Sequence, residues 1–115
     1  MHNIKTHLVG TSDLNRYGNL YGGKLLSILD DAGWELVTKT FKTRGQVVTK
    51  KVSEVNFRAP IQLGDKIEVH GDITNIGTTS ATVELKVLLK DRRVITATFI
   101  YVHISNGKPS PLISV

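Results

Sequence analysis

The chain has 115 residues, 40% of them hydrophobic and 22% charged, which is enough for one core but not for two. It has no cysteine, so disulfides, thiolate metal sites and a cysteine nucleophile are excluded, and it has neither a run near the ~18–20 apolar residues of a bilayer span nor the apolar centre of a signal peptide. The formal net charge of +5 favours anionic partners, yet the cations are dispersed, with Lys50-Lys51 and Arg92-Arg93 the only doublets, which is the pattern of a solvated surface.

In chain order, residues 5–11 read as a short opening strand, and TSDLNRYGNLYGG, rich in Asn, Asp and Gly, reads as a loop. From Gly23 a helical pattern takes over. Leu25, Leu29, Ala32 and Leu36 recur at spacings of four, three and four, flanked by Leu26, Gly33 and Val37. The helix is expected to run for roughly 18 residues and to fade near Phe41, ahead of Arg44-Gly45.

The rest is β-rich. Gln46–Phe57 is dense in β-branched residues and stops before Ala59-Pro60, and IQLGD is a turn. In the next strand Ile67, Val69, Gly71 and Ile73 share one face, and Lys66, Glu68, His70 and Asp72 the other. After a turn at Gly77, Ala81, Val83, Leu85, Val87 and Leu89 alternate with Thr82, Glu84 and Lys86. These are half-buried antiparallel strands. Residues 94–104 are apolar on both faces, so that strand should be central or covered. The tail NGKPSPLISV reads as a turn followed by irregular chain. One helix and about five antiparallel strands make a single α+β domain over 1–115, with the sheet curled around the helix. A single layer leaves sheet surface uncovered, which predicts association, most simply as a twofold dimer.

The chemistry-bearing segment is NRYGNLYGGKLLSILDDAG. Gly22-Gly23 stands at the loop-to-helix junction, where backbone N–H groups are unpaired and the helix dipole is positive, so an oxyanion would be stabilised there. Asp30 lies about two turns on, over Leu26 and beside Gly33 and Val37, at the edge of the apolar stripe. A carboxylate in that position is a candidate base or nucleophile. Asp31 is turned by roughly 100° toward Ser27, Trp34 and Glu35 and faces solvent. Asn19, just ahead of the helix, has an amide able to hold a water or a carbonyl. Taken singly, each feature also fits a plainer role: a tight glycine turn, an acid on an amphipathic helix, a turn asparagine.

His70 should point outward, His103 shares a face with Tyr101, and His2 and His7 lie in or near the N-terminal tail. No pair has metal-ligand spacing with supporting acids, so no metal site is expected. There is no phosphate-binding glycine motif, and GTTSATVE is a turn entering a strand rather than a nucleophile elbow.

The ordered run Asn15-x-x-Gly18-Asn19-Leu20-Tyr21-Gly22-Gly23-x-Leu25-x-x-x-Leu29-Asp30-x-Ala32-Gly33 resembles the signature of the hotdog-fold acyl-CoA thioesterases, nearest to the bacterial short-chain and animal cytosolic enzymes. The resemblance continues through Val55-Asn56-Phe57-Arg58-Ala59-Pro60, Leu63-Gly64-Asp65, Thr79-Ser80, the segment from Thr96 to Val102, and Gly107-Lys108-Pro109. It implies a long helix wrapped by an antiparallel sheet, with active sites at the interface of a homodimer that assembles further into a tetramer or hexamer. By the same resemblance Asp30 is the catalytic acid, and Asn19 assists it from the opposite subunit. The backbone near Gly22 and Gly23 would bind the thioester carbonyl. Tyr21, where histidine or phenylalanine is common, borders the acyl pocket, and Lys50-Lys51 brings more charge than the pattern suggests. Coenzyme A is highly anionic, so Arg58 and Lys108, with Ser80, are candidates to bind it.

The expected reaction is hydrolysis of acyl-CoA to free acid and coenzyme A, in the cytoplasm, with no cofactor and no nucleic-acid or membrane partner. Asp30 would act as general base or as nucleophile, and the sequence leaves both open. The rival reading is a hotdog module that binds acyl-CoA without hydrolysing it. The basic charge lacks the interleaved aromatic residues of a nucleic-acid surface, and the helix lacks the paired acid and histidine of a fold-related dehydratase.

Overall fold

The apolar stripe that follows the tandem glycines folds as α1 (Gly22–Thr40), and the sheet is built around it. The computed structural model describes residues 2–114, with the backbone alone for His2. The strands are β1 (His2–Leu8), β2 (Phe41–Lys42), β3 (Gln46–Phe57), β4 (Lys66–Ile76), β5 (Ser80–Leu89), β6 (Arg92–Ser105), β7 (Lys108–Pro109) and β8 (Ile113–Ser114). The main sheet has the order β1-β4-β5-β6-β3, antiparallel throughout, with β7 added to β6. Its concave face carries the helix. Among the described residues no helix is long and apolar enough to cross a membrane.

Each strand buries the face that its alternation dictates. Ile67 and Val69 of β4, Val83, Leu85 and Val87 of β5, and Phe99 and Tyr101 of β6 are nearly solvent-free. Leu25, Ile28, Leu29, Ala32 and Val37 of α1 close onto them. Leu29, at 0% exposure, sits at the centre of this contact. Leu29→Ala is therefore expected to cost about 2–5 kcal/mol, a large share of the ~5–15 kcal/mol that holds a domain together. Equilibrium denaturation by urea measures it, and a loss under about 1 kcal/mol would place the core elsewhere. The strand that is apolar on both faces, β6, is interior to the sheet as expected, between β5 and β3.

Two expectations need correction. The opening strand is His2–Leu8 rather than 5–11, and residues 11–13 make a 3-10 turn instead. Asp13 causes this by hydrogen bonding back to the N–H of Gly10, which ends the extended chain. The tail is not irregular after its turn. Asn106-Gly107, both at positive φ, fold β7 back onto β6, and β8 then pairs with β2. His103 ties this end together. The Gly45 N–H donates to its Nε2 at 3.1 Å, and its Nδ1–H donates to the Pro111 carbonyl at 3.1 Å. An Nε2 that accepts belongs to a neutral imidazole protonated at Nδ1. A side chain at Gly45 would run into the Ile104 carbonyl, so glycine is required at this corner.

Candidate active site

The helix start is pinned from below. Asp13 is 4% exposed. Its Oδ2 accepts from the Gly10 N–H at 2.9 Å and from His7 Nε2 at 2.8 Å, and Lys24 Nζ stands 3.6 Å from Oδ1. The Gly10 N–H, then the His7 hydrogen bond, hold this carboxyl below the usual carboxylate range against the opposing effect of burial. The Asp13 carbonyl also accepts the N–H of Tyr21, the residue that opens the helix. No side chain caps α1. Its first-turn N–H groups, which no helix carbonyl can reach, are thus left to a ligand or to water. Gly22 and Gly23 are both exposed. Tyr21 folds back over Gly23, where an added Cβ would meet its ring at 3.3 Å. That glycine is accordingly needed for tyrosine packing as well as for access.

Asp30 is half-buried on the same face of α1. Its Oδ1 accepts from Thr49 Oγ1 at 2.6 Å and from the Tyr101 hydroxyl at 3.0 Å. The Tyr101 hydroxyl also lies 2.9 Å from the Asp30 carbonyl oxygen. Among the described residues nothing donates to Oδ2. Tyr101 reaches this position under Gly33, where any Cβ would collide with its hydroxyl. Its ring is 1% exposed and stacks on Phe99 at 6.1 Å. Burial first, and then the charge of Asp30 and the hydrogen bond to it, push the phenol well above its ordinary value, so it stays protonated as a donor.

A β-bulge completes the arrangement. Thr49 is opposite Tyr101 and Val52 opposite Phe99, with the register slipping between Thr49 and Lys51. Residues three apart on a regular strand point to opposite faces. The extra residue turns both Thr49 and Val52 toward the helix and leaves Lys50 and Lys51 exposed. That accounts for the unexpected lysine doublet. The result is a hollow of about 300 Å³ lined by Gly23, Leu26, Ser27, Asp30, Thr49, Val52 and Phe99. Gly23 of the first helical turn and Asp30 thus line one space.

The other sequence candidates lie apart from it within one chain. Asn19 lines a separate hollow of about 400 Å³ together with Asn15, Phe57 and Arg58. There the Asn15 side-chain oxygen accepts from the N–H groups of Tyr17, at 2.9 Å, and Asn19, at 3.1 Å. Ser80 lines a third hollow, with Lys50 and Val102, and Lys108 sits beside it on β7. The Arg58 N–H bonds the Val94 carbonyl at one end of β6, whereas Ser80 pairs with Val102 near the other. Eight strand residues separate these points by about 27 Å, so one chain does not bring Arg58 to Ser80 and Lys108. Among the described residues no three acids or histidines gather as metal ligands.

Tyr101, Thr49 and Asp13 were not singled out in the sequence. Tyr101 did carry a signal, since a tyrosine on an otherwise apolar buried face needs a partner for its hydroxyl. Asp13, three residues after Gly10, carried the weaker signal of a capping pattern. Thr49 carried none.

Comparison with known proteins gives consistent matches. The thioesterase superfamily profile matches residues 17–96. The Bacillus subtilis protein described as uncharacterized acyl-CoA thioester hydrolase YkhA is 33% identical over 95% of this chain. The chain spans only 66% of that relative's length, just under two thirds. The Salmonella typhimurium acyl-CoA thioester hydrolase YciA is 32% identical, covering 88% of this chain and 82% of its own. Among solved structures, Cj0915, a hexameric hotdog fold thioesterase of Campylobacter jejuni, superposes with a TM-score of 0.85 at 29% identity, covering 96% of this chain and 89% of its own. The helix wrapped by a curled antiparallel sheet is the hotdog fold.

Proposed function

This chain belongs to the thioesterase superfamily, and from that premise we propose that it hydrolyses acyl-CoA to a free acid and coenzyme A, with Asp30 as general base or nucleophile. One observation carries the reading: the Asp30 carboxylate has one oxygen held and the other without a donor among the described residues, in a hollow that Asp30 lines together with Gly23 of the uncapped helix start. The thioester carbonyl would hydrogen-bond to N–H groups near Gly22 and Gly23, where the negative charge of the tetrahedral intermediate is stabilised. Asp30 would take a proton from water and return it to the departing thiolate, or would attack the carbonyl itself to give an anhydride that water then opens. Water is the only co-substrate that either route requires. The names of the Bacillus and Salmonella relatives support acyl-CoA as substrate, and a cysteine-free sequence suits the cytoplasm.

The site is completed by a second copy. Strand β3 is at the sheet edge, it is 12 residues long, and it exposes Val52 and Phe57 at 43% and 56%. A long edge with apolar side chains favours pairing with another strand. A twofold axis near the middle of β3 would turn the Phe57 end of one strand toward the Thr49 end of its partner. Asn19 of the partner subunit would then approach Asp30, where its amide can orient the water or the carbonyl. Asn15 lines the same hollow as Asn19, so it is the rival for this role. Such an axis also draws Arg58 of one subunit toward Ser80 and Lys108 of the other. This favours a coenzyme A site shared between chains, with Tyr21 bordering the acyl group. Assembly beyond the dimer is supported by the hexameric Campylobacter jejuni neighbour.

The test is thiol release across a panel of acyl-CoA chain lengths. Turnover on at least one member, with stoichiometric free coenzyme A, is the expected result. Tight binding without thiol release across the panel would instead establish a non-catalytic acyl-CoA-binding module.

A further inference from the structure

Resting on the reading of Asp30 as the reacting carboxylate, we infer that Tyr101 and Thr49 are positioning residues that commit Oδ1 of Asp30 to the protein and make Oδ2 the reacting oxygen. An aspartate side chain has a broad, nearly twofold terminal torsion. Left alone in a half-open hollow it rotates and presents either oxygen. Here two hydroxyls from two strands meet the same oxygen, Thr49 at 2.6 Å and Tyr101 at 3.0 Å. The second donor cannot swing away. It is 1% exposed, it stacks on Phe99, and its hydroxyl fills the space that the absent Cβ of Gly33 leaves. The first donor of this clamp stands opposite Tyr101 in the register, which puts it on the same, helix-facing side of the sheet. The Tyr101 hydroxyl also lies 2.9 Å from the Asp30 carbonyl oxygen, so its single proton is shared between the backbone and the carboxylate of that residue.

The assignment fits both routes. As a general base, Oδ2 gains the water proton while Oδ1 keeps its two donors. As a nucleophile, Oδ2 forms the bond to the acyl carbon as the carbon–sulfur bond breaks and the thiolate leaves, and Oδ1 becomes the carbonyl oxygen of the anhydride. In either case a fixed plane holds Oδ2 at a constant distance from the carbonyl seated at the helix start. Misplacement of a reacting group by about 1 Å costs on the order of a hundredfold in rate.

The test is steady-state kinetics on the best acyl-CoA of the panel, using the full chain and four variants. Thr49→Val keeps the shape and removes the hydroxyl, Thr49→Ser does the reverse, Tyr101→Phe removes the second donor, and Asp30→Asn tests the underlying reading. Thr49→Val and Tyr101→Phe are each expected to lower kcat by about 10- to 100-fold with KM changed less than about threefold, while Thr49→Ser keeps most of its turnover. The opposite order at position 49, with serine impaired and valine normal, would mean a packing role and would overturn the clamp. Wild-type kcat in Thr49→Val and Tyr101→Phe alongside an inactive Asp30→Asn would sink the clamp alone. Wild-type kcat in Asp30→Asn would sink the reading it rests on. If Tyr101→Phe fails to fold, the pair at position 49 decides.

Discussion

Asp30→Asn is expected to lower kcat by about 10²- to 10⁴-fold, the range that a positioned general base supplies, with little change in thermal unfolding. The amide has the size and shape of the carboxylate and keeps an oxygen for the Thr49 and Tyr101 hydroxyls to reach. What it loses is the proton affinity of a base and the electron pair of a nucleophile. Asp30 is only half-buried, so the fold does not depend on its charge. Stability should stay within about 1 kcal/mol of the parent chain. Thiol release and a melting curve on the same preparation check both halves. Unaltered turnover in a folded variant would remove Asp30 from the chemistry.

The second large effect is expected from mixing two impaired chains. In the proposed dimer each site takes Asp30 from one subunit and Asn19 from the other. Asp30→Asn and Asn19→Ala subunits, dissociated and reassembled in equal amounts, should form mixed dimers with one fully native site each. About half of the dimers are mixed and one site in two is restored, so the mixture should recover about a quarter of parental activity. Each variant alone stays low. If the mixture is as inactive as its components, the two residues do not meet across an interface. Repeating the cross with Asn15→Ala decides between the two asparagines of the hollow. Recovery with Asn15→Ala and a fully active Asn19→Ala would transfer the role to Asn15.

Much of the fold was legible because its signals are local. The stripe of Leu25, Leu29 and Ala32 needs only a 3.6-residue period to be recognised as a helix, and the alternation of β4 and β5 needs only a period of two. The helix bounds followed from glycine ahead of it and Arg44-Gly45 behind. The boundaries that moved were set by contacts that no local pattern contains. Asp13 stopped β1 early, and the pairing of β8 with β2 ordered a tail that has no strand pattern of its own.

The sequence by itself determined the elements, the buried faces, the glycine-marked helix start and the place of Asp30 on the edge of the apolar stripe, because each depends on neighbours within a few residues. Only the tertiary structure decided what holds Asp30. Thr49 is 19 residues away and Tyr101 is 71, and they meet on one oxygen only once β3 lies beside β6 with Thr49 opposite Tyr101. Tertiary structure also set Arg58 far from Ser80 within one chain, since strand order and register, rather than residue type, fix which side chains share a space.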